Sequence, residues 1–292
     1  MLKDDYIPFH QSFQTGSSPE KIFAPMDPNH LQGGGPGYDL VKEYFNNKWN
    51  MNHLFLTPSC TSALEMASLL LDIKPGDEVI VPSFTFVTSA SSFAMRGAKI
   101  VYVDIDPETL CADIEFIERS ITSKTKAVVY VHYGGWCGDI ERLKSLCNIK
   151  NVHLVEDAAQ AVGSIYKGVS LGKQGDISCF SFHATKNIHC GEGGALNLNN
   201  TELLEKAEII FEKGTDRKRF QREEVEFYQW KELGSSFLMN ELSAFYLWDQ
   251  LQNLEDNIET RRSIWQSYEK EFEGLKTNHD IKLPPPVSSW AS

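Results

Sequence analysis

The sequence predicts an α/β protein built on a mostly parallel sheet flanked by helices, and three observations carry that reading. Short β-branched and aromatic runs alternate with helical stretches along the chain. Several of these runs, Val-Ile-Val at 79–81 and Ala-Val-Val-Tyr-Val at 127–131 among them, are apolar at consecutive positions, as strands covered on both faces must be. The 292 residues, 41% hydrophobic and 23% charged, are enough to bury a large core.

Seven strand-like runs follow one another at 53–57, 78–82, 99–103, 127–132, 152–156, 177–182 and 195–198. Helices are expected between them. One covers 62–71, opened by Thr61 or Ser59 as cap and closed before Pro75-Gly76; others cover 89–96, ending at Gly97, and 114–121. From 202 to 213 and from 239 to 275 the periodicity is helical. In the second stretch Leu242, Phe245, Tyr246, Trp248, Leu251 and Leu254 are spaced for one apolar face, read first as core and second as a subunit contact. Leu283-Pro284-Pro285-Pro286 then reads as a linker. The expected division is a large α/β domain over 1–240, followed by a long helix and the start of a largely missing C-terminal small domain over 241–292.

Charge excludes some function classes. With 40 acids against 28 bases the net charge is −12, which repels polyanions, so neither nucleic acid nor an anionic membrane is an expected partner. The one basic cluster (Lys213, Arg217, Lys218, Arg219, Arg222) is interrupted by Asp216 and reads as a solvated segment. Six cysteines lie scattered without a C-x-x-C pair, so neither a zinc site nor a disulfide framework is signalled, and a reducing cytoplasm is the expected compartment. The first 30 residues are charged and proline-containing, unlike a secretory signal, and nowhere do about 20 apolar residues run together.

Four segments carry candidate chemistry. In Cys179-Phe-Ser-Phe-His-Ala-Thr-Lys186 a strand runs into a turn holding Ser181, His183 and Lys186, where sheets of this type bind ligands. Alone, Lys186 is an exposed lysine. In Val155-Glu156-Asp157-Ala-Ala-Gln160 a buried-type strand ends on adjacent acids, and Asp157 alone could simply cap a helix. Together, the lysine can form an imine with an aldehyde and the acid can face a pyridine nitrogen, which is the chemistry that pyridoxal phosphate (PLP) requires. The turn Thr57-Pro-Ser-Cys-Thr61-Ser62 before a helix suits a phosphate, although taken alone the motif favours ordinary N-capping. In Pro82-Ser-Phe-Thr-Phe86 an aromatic ring can stack on a flat heterocycle or pack in the core.

In conjunction, Thr61-Ser62, Pro82-Ser-Phe-Thr-Phe86, Glu156-Asp157-Ala-Ala-Gln160 and Ser181-Phe-His-Ala-Thr-Lys186 resemble the sugar aminotransferases of the DegT/DnrJ/EryC1/StrS family, PLP enzymes of fold type I with a seven-stranded sheet. The resemblance runs from about residue 31 to residue 283. Within the family, Leu56-Thr-Pro-Ser-Cys-Thr61, Val131-His-Tyr-Gly134 and Leu233-Gly-Ser-Ser-Phe-Leu-Met239 are most similar to the dTDP-4-amino-4,6-dideoxygalactose transaminases. It implies that Lys186 binds the cofactor and moves the substrate proton, that Asp157 pairs with the pyridine nitrogen, and that Phe86 stacks on the ring. It also implies that Thr61, Ser62 and Ser181 hold the phosphate, that Gln160 lies near the ring hydroxyl, and that His183 lines the pocket beside the lysine, either as a catalytic residue that moves protons or as a packed histidine donating a structural hydrogen bond.

The implied reaction moves an amino group from L-glutamate to the 4-keto carbon of a nucleotide-linked 6-deoxyhexose, in a homodimer. Lysine at 186 favours transamination, since related sugar dehydratases carry histidine there. Ser236 and Leu238 stand where many members carry asparagine and arginine. The alternative reading, motivated by the short C-terminal part, is a catalytically idle PLP-binding or dimerising remnant.

Overall fold

The computed structural model describes residues 8–279. Helices α1 (Pro19–Phe23) and α2 (Pro36–Trp49) precede strand β1 (Leu54–Thr57). There follow α3 (Cys60–Leu70), β2 (Glu78–Pro82), α4 (Thr88–Ala94), β3 (Lys99–Val103), α5 (Ile114–Ser120), β4 (Thr125–Val131), α6 (Ile140–Lys150) and β5 (His153–Asp157). A small hairpin of β6 (Ile165–Tyr166) and β7 (Val169–Ser170) leads to β8 (Ile177–Ser181) and β9 (Gly194–Leu198). The chain continues through α7 (Leu204–Phe211), α8 (Arg217–Gln221), α9 (Glu241–Leu251) and α10 (Leu254–His279).

The main sheet has seven strands in the order β1-β9-β8-β5-β4-β2-β3. Neighbours from β8 to β3 are parallel, and β9 alone is reversed against both β8 and β1. The sheet is therefore mostly parallel, as the consecutive apolar runs require, and each of the seven runs falls on one of its strands. Residues of β1, β2, β5, β8 and β9 are buried almost throughout, while β3 forms a half-exposed edge. Parallel strands bring the carboxyl ends of β1, β2, β4, β5 and β8 to one edge of the sheet, and the reversal of β9 brings its first residue, Gly194, to the same edge. A Cβ at 194 would sit 2.4 Å from the amide nitrogen of Cys60, so only glycine lets β9 start against the first turn of α3.

One helical expectation holds with a modified start and one is corrected. The stretch at 202–213 is a short 3₁₀ turn followed by α7. The stretch at 239–275 is not one helix but two, α9 and α10, parted at Gln252-Asn253. There the Asn253 side chain donates to the Asp249 carbonyl at 3.1 Å, and its amide bonds back only three residues, to Gln250, which is how asparagine competes with a helical ladder. Leu242 is 44% exposed, and the buried face of α9 runs through Ala244, Phe245, Leu247 and Leu251. Helices α2 and α6 lie outside the helical runs expected from the sequence, although Tyr38, Val41, Phe45 and Trp49 of α2 are buried at helical spacing.

Helix α2 has no side-chain cap of its own. Its start is held instead by the fully buried carboxylate of Glu241, at the first turn of α9, which accepts the amides of Gly35, Gly37 and Tyr38 at 3.1, 2.7 and 3.2 Å. A negative charge at a helix N-terminus is stabilising. The expected division at residue 240 thus falls between elements that share one core, since Ala244, Leu247, Leu251 and Leu254 join the same hydrophobic cluster as the sheet. The proline run at 284–286 lies outside the described residues.

The basic segment is neutralised locally. Arg222 pairs with Glu208 and Glu224 at 2.9 and 2.7 Å, and Lys213 and Arg217 flank Glu212 at 3.6 and 3.8 Å. Among the described residues no helix is long and apolar enough to cross a membrane, no metal-binding cluster forms, and the six cysteines are free thiols.

Candidate active site

A cavity of about 360 Å³ opens at the shared edge of the sheet. It is lined by residues that follow β1 (Ser59, Cys60, Thr61), β2 (Thr85, Phe86, Thr88), β4 (His132, Tyr133), β5 (Asp157, Ala159, Gln160) and β8 (Ser181, His183, Lys186). Residues more than 100 positions apart are joined by topology alone: the sheet places β5 between β4 and β8, with Asp157 opposite Val131 on one side and Cys179 on the other.

Asp157 is the last residue of β5 and 5% exposed. The Ser89 hydroxyl donates to its Oδ2 at 2.6 Å and the Ala159 amide to its Oδ1 at 3.1 Å. Burial pushes its carboxyl above the ordinary range, against the pull of these two donors and of the Lys186 amine. Lys186 sits half-buried on the turn after β8, where its amide donates to the His183 carbonyl at 2.9 Å. The two groups face one cavity, as the sequence motifs required of them.

At the β1 side, Ser59 caps α3 by accepting the Ser62 amide at 3.0 Å, and its hydroxyl also contacts the Ser62 hydroxyl at 3.0 Å. Of the expected pair, Thr61 lines the cavity and Ser62 lies behind Ser59. Ser59 itself, weighed in the sequence only as a cap, lines the cavity. No protein group among the described residues accepts the amides of Cys60 and Thr61, so the first turn of an 11-residue helix presents free donors there. Ser181 closes this side, 6% exposed, at the end of β8.

Phe86 is 67% exposed and borders the cavity, so the core alternative does not describe it; Phe84 leaves the core as well and packs on Tyr133 with ring centroids 4.4 Å apart. The Gln160 side-chain oxygen accepts the Gly134 amide at 2.7 Å, which ties the loop after β5 to the turn after β4. His183 lines the outer part of the cavity, its Nδ1 2.9 Å from the Thr185 hydroxyl and its Nε2 3.5 Å from Glu192.

The sequence motifs did not assign roles to Ser89, His132 or Glu156. His132 and Glu156 are both fully buried, with Nε2 and Oε2 2.8 Å apart. Glu156 also accepts the amides of Gly172, Gln174 and Gly175 at 3.0, 2.8 and 2.6 Å. Burial disfavours the charge of Glu156, but the His132 ring and these amides outweigh it and hold the carboxyl below its ordinary range. A carboxylate one residue before Asp157 was the only signal for this network, since strand alternation turns Glu156 away from the face that Asp157 serves.

Glu156→Ala would strand a buried imidazole and three amides, and is expected to cost about 3–5 kcal/mol of unfolding free energy in urea titrations. Because its folded pKa is depressed, the Glu156 contribution is fully present above the ordinary carboxylate range and drains as the pH falls through the folded value. The stability gap between parent and variant should therefore narrow in acid, and a gap independent of pH would contradict this account.

The comparisons with known proteins agree with this geometry. The chain is 33% identical over 274 residues to GDP-perosamine synthase of Escherichia coli O157:H7, covering 94% of this chain and 73% of that protein. It is 36% identical over 245 residues to an uncharacterized protein of Methanocaldococcus jannaschii, covering 83% of this chain but only 64% of that relative's length. Among solved structures, the aminotransferase TlmJ from Streptoalloteichus hindustanus superposes with a TM-score of 0.87 at 30% identity, covering 98% of this chain and 76% of that one. NtdA from Bacillus subtilis, solved with bound cofactor PMP, superposes with a TM-score of 0.82 at 27% identity, covering 91% of this chain and 59% of that one. A family model matches residues 20–292. By sequence, fold and the site at the sheet edge, the chain belongs to the DegT/DnrJ/EryC1/StrS aminotransferase family.

Proposed function

We propose that the protein is a PLP-dependent aminotransferase that moves the amino group of L-glutamate to the 4-keto carbon of a nucleotide-linked 6-deoxyhexose, converting dTDP-4-keto-6-deoxyglucose to dTDP-4-amino-4,6-dideoxygalactose. The observation that carries this reading is the single cavity shared by Lys186 and Asp157. The residues present fit the cofactor. The free amides of Cys60 and Thr61, with the hydroxyls of Ser59, Thr61 and Ser181, form a donor set for a phosphate dianion. Asp157, whose burial opposes its charge, gains a cationic partner when it faces a protonated pyridine nitrogen. Phe86 supplies an exposed aromatic face.

When bound, PLP supplies an aldehyde that exchanges amine partners and a ring that draws electrons from the carbon losing a proton. The remaining work belongs to the chain. Ser89 and the Ala159 amide fix the direction of the Asp157 carboxylate. Lys186 Nζ, on a half-buried turn beside that acid, would hold the cofactor and, in each half-reaction, move the proton between substrate and cofactor. His183, exposed at the rim beside Glu192, contributes to the outer wall. Exposed Phe227, Tyr228 and Trp230, at 62%, 51% and 74%, give a homodimer an apolar face.

The test is glutamate-dependent turnover. With PLP present, dTDP-4-keto-6-deoxyglucose is expected to yield the 4-amino sugar and an equal amount of 2-oxoglutarate. Preference for a GDP-linked 4-keto-6-deoxyhexose would overturn the nucleotide assignment, and no turnover of either sugar would favour the idle remnant.

A further inference from the structure

The turn that carries Lys186 is held from outside as well as from within. Inside, the Ala184 amide donates to the Gly191 carbonyl at 2.8 Å and the Cys190 amide to the Phe182 carbonyl at 2.9 Å, which ties the turn to the β8–β9 connection. Two of its carbonyls point outward. That of Ala184 accepts the Ser12 hydroxyl at 2.9 Å, from the segment before α1. That of Asn187, the residue after Lys186, accepts the side-chain amide of Asn257 on α10.

Asn257 is 5% exposed, and its orientation is fixed by its own partner. Arg261 Nε donates to Asn257 Oδ1 at 2.9 Å, so the oxygen faces the guanidinium and the NH₂ faces Asn187. Asn257, Arg261 and Trp265 recur every four residues and form one stripe of α10. Trp265 packs against Trp136 with ring centroids 6.3 Å apart, and the Trp136 carbonyl lies 3.2 Å from His132 Nδ1. One stripe of α10 therefore meets both the turn bearing Lys186 and the turn bearing His132.

We propose that Asn257 is a positioning residue for Lys186: its amide pins the peptide plane just beyond the lysine, and Arg261 keeps that amide from turning over. The proposal rests on the cofactor reading of the same cavity. A lysine stem has four rotatable bonds, so the direction of its amine is set by how firmly the backbone beneath it is held. Misplacement of about 1 Å in a reacting group can cost about 100-fold in rate.

The experiment compares the parent with Asn257→Asp, which keeps the shape and the Arg261 partner but sets a carboxylate oxygen against the Asn187 carbonyl. Amide hydrogen exchange over residues 184–189 of the cofactor-free protein is expected to rise about 10-fold. In the PLP-loaded protein kcat is expected to fall at least about 10-fold while KM for the sugar stays within about two-fold. Arg261→Leu, which frees the Asn257 amide to turn over, is expected to move both readouts the same way by less, and it serves if the aspartate variant does not fold. Exchange and kcat both unchanged in the folded variants would overturn the proposal, as would a lowered melting temperature with kcat per folded site intact. If the parent takes up no PLP, the cofactor reading fails, and the exchange comparison still decides whether Asn257 holds the turn.

Discussion

Lys186→Ala is expected to lower glutamate-dependent amine transfer by about 10³- to 10⁴-fold, because in the proposed mechanism it removes both the amine that holds the cofactor and the group that moves the substrate proton. The fold should survive the change. Lys186 is half-buried, and among the described residues its amine makes no hydrogen bond or ion pair that the structure depends on. Circular dichroism and urea midpoints close to the parent, with 2-oxoglutarate formation lost, are the expected results. Turnover within about ten-fold of the parent would remove Lys186 from the mechanism.

Asp157→Asn is expected to act in opposite directions on stability and on rate. The carboxyl of Asp157 is raised above its ordinary range by burial, so in the cofactor-free protein its ionised form is disfavoured by folding. For an acid raised in this way, the cost appears as the pH rises through the ordinary carboxylate range and is fully present above the folded value. Asparagine keeps the shape, can accept the Ala159 amide and can donate to the Ser89 hydroxyl. The cofactor-free variant should therefore unfold at a higher urea concentration than the parent at neutral pH and lose that advantage in acid. Turnover should nevertheless fall about 10²- to 10³-fold, the scale of losing one preorganised charge at a reacting centre. A variant that is less stable at neutral pH, or that retains full activity, would contradict this assignment.

Much of the architecture was legible in the sequence because the strands are buried on both faces. Runs such as Val79–Val81 and Ala127–Val131 declare a parallel sheet with little ambiguity, and motifs at strand ends then point to its carboxyl edge. What the sequence could not show was adjacency. Ser89 sits 68 residues before Asp157 and reads as an ordinary helix residue until the β2–α4 connection carries it to the carboxylate. Glu241 reads as an exposed acid at the start of an amphipathic helix, yet it is fully buried and caps α2 from 204 residues away. The break between α9 and α10 depends on one asparagine choosing a carbonyl over the helical ladder, which periodicity does not register. On the phosphate side Thr61 lines the cavity and Ser62 does not, while Ser59, whose position in the sequence signals only a cap, lines it as well. In each case a distant backbone decided the role of a polar side chain.

Whether Lys186 and Asp157 meet one bound cofactor, as proposed, is read out by reductive trapping. The protein is incubated with PLP, treated with borohydride, digested and analysed by peptide mass spectrometry, for the parent and for Asp157→Asn. The expected result is a phosphopyridoxyl mass on the peptide containing Lys186 and on no other lysine, with labelling at substoichiometric PLP reduced in the Asp157 variant. A label spread over surface lysines, or an unmodified Lys186 peptide at saturating PLP, would contradict it.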